Sequence, residues 1–130
     1  MNRKDKILVV DDDSDALNLM RVVLQHSGYQ VMTSGTAEEA LEMLERWEAD
    51  LVISDVCMPG MSGLDFLNEL RDWDTALPVI LVSGASKGKD WEDAACGQAT
   101  AMISKPYRKE TVLKTVRKAL KDRHVRSSAA

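Results

Sequence analysis

Ile7-Leu8-Val9-Val10-Asp11-Asp12-Asp13 decides how the rest of this chain is read. Four consecutive apolar residues, mostly β-branched, suit a strand covered on both faces, the situation of a strand inside a parallel sheet. The run stops abruptly in three acids. In a doubly wound sheet the strand ends deliver their residues to the edge where such folds bind ligands.

Similar short runs recur downstream: Gln30-Val31-Met32-Thr33, Leu51-Val52-Ile53-Ser54, Val79-Ile80-Leu81-Val82 and Ala101-Met102-Ile103-Ser104. Helical patterns lie between them. The first runs from about Asp15 to Ser27, with Ser14 placed to cap it, Gly28 placed to end it, and Ala16, Leu19, Met20, Val23 and Leu24 inward. Thr36-Ala37-Glu38-Glu39 is a capping box opening the second, whose Ala40, Leu41 and Leu44 face inward. A third follows Ser62 and buries Leu64, Leu67 and Leu70; a short fourth spans about Lys89 to Gly97; a fifth carries Val112, Leu113, Val116 and Leu120. Alternating strands and helices predict an α/β fold, a doubly wound parallel sheet of five strands with five helices.

A chain of 130 residues is one domain's worth of core. Its net charge of −4 argues against a nucleic-acid binder. The apolar runs are too short to cross a bilayer, and Asn2-Arg3-Lys4-Asp5-Lys6 leads into a strand rather than a signal peptide. Cys57 and Cys96 belong to no local pairing motif, so a reducing cytoplasm is the expected compartment. Charge is uneven: Lys105 to Arg126 is rich in Lys and Arg, whereas acids gather in the first two thirds. That basic stretch reads as a solvated face or as a docking surface. His124 to Ala130 lack pattern, which divides the chain into a domain over residues 1–122 and a tail or linker stub over 123–130.

Strand one ends in Asp11-Asp12-Asp13, strand three in Asp55, strand four in Ser83 and strand five in Lys105. In a parallel sheet these groups meet on one edge. Crowded carboxylates repel one another, so the group calls for a cation. All-oxygen ligation, without Cys or His at suitable spacing, points to a hard ion, magnesium. Asp55 is then both ligand and nucleophile, with an aspartyl phosphate as the covalent product. Lys105 brings a point charge to a phosphoryl oxygen and Ser83 a hydroxyl donor. Each residue alone has an ordinary reading: a capped turn for the acidic triplet, a turn residue for Asp55, a loop serine, a surface lysine. Four strand ends in the right order make the chemical reading the stronger one.

These motifs resemble the receiver domain of bacterial two-component response regulators, the CheY-like domains, over Lys6 to about Lys121. The resemblance rests on Ile7 to Asp13, Asp55-Val56-Cys57-Met58-Pro59-Gly60-Met61-Ser62-Gly63, Pro78 to Ser83, and Lys105-Pro106-Tyr107. It implies a flavodoxin-like fold with strand order 2-1-3-4-5. It implies Asp55 as phosphoacceptor and a magnesium ion held by Asp11, Asp12, Asp55 and the backbone carbonyl of Cys57. Ser83 becomes the switch hydroxyl and Lys105 the phosphate-binding lysine, with a cis bond to Pro106. The implied donor is a histidine kinase or a phosphotransfer protein, recognised through helix-one residues such as Asn18, Arg21 and Val22. The implied output surface is the face of the fourth helix, strand five and the last helix, with Trp91 and Met102, serving an output partner, a fused output domain or a homodimer. Three positions depart from the family pattern: Cys57 replaces a polar side chain, Met102 a Tyr or Phe, and Gln98 a Gly.

On this reading the chain is a phosphorylation switch rather than an enzyme acting on other molecules. A pseudo-receiver that binds partners without phosphorylation is one alternative, kept open by Met102. A magnesium-dependent phosphohydrolase is another; it wants a second acid two residues past the nucleophile, where Cys57 stands.

Overall fold

The computed structural model describes residues 4–74, 76–84 and 99–129. In chain order the elements are β1 (Lys6–Val10), α1 (Ser14–His26), β2 (Gln30–Ser34), α2 (Ala37–Arg46), β3 (Leu51–Asp55), α3 (Gly63–Trp73), β4 (Val79–Ser83), β5 (Ala101–Ser104) and α4 (Lys109–Ala129). The five strands form one sheet in the order β2-β1-β3-β4-β5, every neighbouring pair parallel. Order and direction match the sequence-based expectation. Four helices are present among the described residues rather than five; the one expected over Lys89 to Gly97 lies outside them, with Trp91 and Gln98.

Alternation along the strands builds two cores. Ile7 and Val9 of β1 point to one face, packing with Met20 and Leu24 of α1 and Val112 and Val116 of α4. Leu8 and Val10 point to the other, toward Ala37 and Ala40 of α2 and Phe66, Leu67 and Leu70 of α3. All five residues of β3 and of β4 are buried, which is why those runs carry no polar alternation. Each fully buried Leu, Ile or Phe here contributes on the order of 1.5–3 kcal/mol relative to an exposed one.

Helix punctuation follows the sequence with some corrections. Asp13 caps α1, its carboxylate accepting from the amides of Asp15 and Ala16, so Ser14 is the first helical residue and not the cap. The third acid of the triplet therefore serves the helix. Leu19, expected inward, is exposed; α1 meets the sheet along a narrow stripe, and Leu17 packs against the core instead. Thr36 caps α2 through the amide of Glu39 at 3.1 Å, while the amide of Thr36 itself donates to Ser34 Oγ. Ser62 caps α3 as expected. Gly28, at φ +98°, follows α1 in the left-handed conformation that ends it. α4 runs on to Ala129, through residues expected to lack pattern.

Candidate phosphoacceptor site

The parallel register fixes which residues share the functional edge. Asp55, last in β3, is in register with Val82, the residue before Ser83 in β4; Ser83 in turn is in register with Ser104, the residue before Lys105. Lys105 donates its backbone amide to the Ser83 carbonyl at 2.8 Å, so the β5 exit is tied to the end of β4. The Lys105–Pro106 bond is cis, as the resemblance implied.

Asp11 and Asp55 are buried, whereas Asp12 is exposed. The three can present carboxylate oxygens within 4.8 Å of one another. Lys105 reaches into this group: its Nζ donates to Asp55 Oδ2 at 2.9 Å and lies 3.9 Å from Asp11 Oδ2. The other Asp55 oxygen, Oδ1, accepts the Cys57 amide at 3.2 Å. Asp11 Oδ1 accepts the Asp13 amide at 3.0 Å. Burial raises the Asp11 pKa against that lowering hydrogen bond, and the charge of Asp55 pushes the same way. Lys105 is held above its usual pKa: burial works against its charge, but the hydrogen bond to Asp55 and the charges of Asp55 and Asp11 outweigh it.

Three carboxylates against one lysine leave an excess of negative charge at a partly buried point. An all-oxygen donor set of that kind suits a hard cation such as magnesium.

Two features escaped the sequence. Gly63, the first residue of α3, lies so close beneath the site that a Cβ there would be 2.2 Å from the Asp55 carbonyl oxygen and 2.8 Å from Val56 Cα. Only glycine lets α3 start that near the end of β3, and a Ser-Gly pair gives no hint of it. Tyr107 is half-buried between the site and α1, bordering a hollow of about 170 Å³ with Leu19, Val23 and Val112. Its place after Pro106 was the only signal. Ser83 is buried at the end of β4, as read from the sequence. Cys57 is exposed and unpaired.

Residues 7–117 match the response regulator receiver domain family, and the chain belongs to it. It is a receiver domain of the two-component kind, a phosphorylation-based signalling switch. It is 36% identical over 115 residues to the transcriptional regulatory protein KdpE of Mycobacterium tuberculosis, covering 88% of this chain and 50% of that protein. Over 117 residues it is 35% identical to the regulatory protein VanR of Enterococcus faecium, covering 90% of this chain and 50% of that one. This chain thus spans about half the length of the curated relatives it matches. Among solved structures, a CheY-like receiver domain protein of Methanospirillum hungatei superposes with a TM-score of 0.91 at 26% identity, over 95% of this chain and 99% of that one.

Proposed function

We propose that Asp55 is the residue phosphorylated and that Asp11, Asp12, Asp55 and the backbone carbonyl of Cys57 hold magnesium beside it. The observation that carries this reading is the meeting of three carboxylates and the Lys105 ammonium at one point on the carboxyl edge of the sheet.

In the transfer, an Asp55 carboxylate oxygen bonds to phosphorus as the phosphorus–nitrogen bond of a donor phosphohistidine breaks. The electron pair of that bond stays with the imidazole ring, and Asp55 becomes an acyl phosphate. Bound magnesium supplies charge neutralisation for the phosphoryl oxygens. Lys105, already against Asp55 Oδ2, has its positive charge in place for those oxygens without a large movement. The hydroxyl of Ser83 serves as a donor to one of them, drawing the end of β4 toward the site.

The donor is a histidine kinase or a phosphotransfer protein, and the compartment is the cytoplasm. Of the relatives about twice this length, KdpE is named a transcriptional regulatory protein and VanR a regulatory protein, which supports a role as the regulatory half of a longer protein. The signal leaves through β5 and α4. Met102 of β5 is half-buried against the core that holds Leu81 and Ala99, so it fills space there as a flexible apolar side chain. Acetyl phosphate with magnesium is expected to add about 80 Da, one phosphoryl group, in intact-mass spectra. The adduct disappears in Asp55→Asn; an adduct that persists there removes Asp55 from this role.

A further inference from the structure

The two faces of the molecule carry opposite charge in matching patterns. On α2, Glu38, Glu42 and Glu45 are exposed at positions i, i+4 and i+7, one stripe along the outer face of the helix. On α3, which packs beside α2, Asp65, Glu69 and Asp72 repeat the same spacing and the same exposure. The exposed bases on these two helices amount to Arg46 alone. At the end of the second stripe stands Trp73, half exposed, a large aromatic surface open to solvent.

The opposite side of the sheet presents the complement. Lys114, Arg117, Lys118 and Lys121 of α4 are exposed at i, i+3, i+4 and i+7, back to back with the buried Val116 and Leu120. Neither the six acids nor these four cations form an ion pair with any described residue. Like charges so spaced on one helix face are mildly unfavourable; among the described residues only Arg46 on α2 and Glu110 and Asp122 on α4 stand at helical spacing to offset them. Each stripe is about 10 Å long at 1.5 Å per residue, so the acidic and basic rows match in length. Because α2 and α3 lie on one face of the sheet and α4 on the other, a single molecule cannot bring the rows together.

We infer that the α2–α3 face of one copy receives the α4 face of a second copy, in a head-to-tail contact centred on Trp73. A Lys or Arg of the incoming helix would lie over the indole, where cation–π attraction adds to the charge pairing. Trp is also the residue type most often found at the energetic centre of an interface. Such a contact uses two different patches, so it does not close on itself as a two-fold dimer; each added copy leaves one acidic and one basic face open. It is independent of Asp55 and of the proposed transfer chemistry.

Sedimentation of the 14.4 kDa chain tests this directly. At about 0.01 M ionic strength, where screening acts over roughly 30 Å, the weight-average mass should climb with protein concentration beyond that of a dimer; near 1 M, with screening over about 3 Å, it should return to the monomer. Two variants then separate the faces: Glu69→Lys with Asp72→Lys spoils the acidic one, and Lys118→Glu with Lys121→Glu the basic one. Each alone should remain monomeric. Mixed, they should form a capped 1:1 dimer, because the first keeps a native α4 face and the second a native α2–α3 face. Trp73→Ala should weaken association of the otherwise native chain, with thermal unfolding unchanged. A wild-type chain that stays monomeric at low salt overturns the proposal. So does self-association that survives both face variants, or a mixture that gives no dimer. Quenching of Trp fluorescence by a basic helical peptide, with no self-association, would assign the face to a foreign partner and equally overturn it.

Discussion

Gly63 opens α3 directly under Asp55, and alanine there would place its Cβ 2.2 Å from the Asp55 carbonyl oxygen and 2.8 Å from Val56 Cα, where ordinary contact begins at 3.4 Å. Both neighbours are backbone, so no side chain can rotate aside. The amide of Gly63 also donates to the Val56 carbonyl at 2.9 Å, which pins the helix start against the strand exit. Relief requires α3 or the end of β3 to move by about an ångström, and overpacking of this kind costs roughly 1–3 kcal/mol, sometimes more. Alanine recovers at most about 1 kcal/mol over glycine in a helix, and less at its first position. The expected net loss is about 2 kcal/mol, near 30-fold in the folding equilibrium. For a domain of this size that corresponds to a drop of roughly 6–8 °C in melting temperature. Gly35→Ala is the control, since nothing lies within 4 Å of its added Cβ. Thermal melts followed by circular dichroism give the comparison. If Gly63→Ala melts with the wild type, the close approach is not a constraint and the account of why α3 begins at a glycine fails.

Other outcomes follow from the site. Magnesium should raise the melting temperature of the wild type, by an amount equivalent to about 2.7 kcal/mol at a hundred times Kd; Asp12→Ala should lose most of that increment in the same scan. Lys105→Met removes the cation at 2.9 Å from Asp55, so isothermal titration should show magnesium binding several-fold tighter, while phosphorylation by acetyl phosphate slows at least about ten-fold. Asp11→Asn should stabilise the protein in chelator at neutral pH. Burial raises the Asp11 pKa in the folded state, so its charged form is penalised above that pKa and the penalty fades as pH falls through it toward the unfolded value. The advantage of asparagine should therefore be full at neutral pH and vanish in acid, measured by urea midpoints; an advantage that grows toward low pH would contradict the assigned cause.

Much of this was legible because strand ends are written in the sequence. Ile7 to Val10, Leu51 to Ser54 and Val79 to Val82 are apolar runs with no competing period, and each breaks at a polar residue that the structure places on the functional edge. Parallel order then brought Asp11, Asp12, Asp55 and Lys105 together without further information. Helix faces were harder to read. Leu19 fits the inward rhythm of α1 as well as Leu17 does, and only the crossing angle of the helix on the sheet decides which is covered. Asp13 and Ser14 are both competent caps, and the choice depends on where the chain leaves the extended conformation. Phe66, fully buried in α3, lies in the core with Leu67 and Leu70, whose rhythm already marks that face. The close approach at Gly63 depends on how two elements meet in space, and no local pattern encodes that.

The central claim is that Asp55 carries the phosphoryl group, and chemical trapping tests it most directly. Borohydride reduces an aspartyl phosphate to homoserine while leaving free carboxylates intact. After incubation with acetyl phosphate and magnesium, peptide mass spectrometry should find homoserine at position 55, with Asp11, Asp12 and Asp13 unchanged and no conversion when the metal is chelated. Homoserine at one of those other acids, or a phosphorylated chain with Asp55 left intact, would contradict the account.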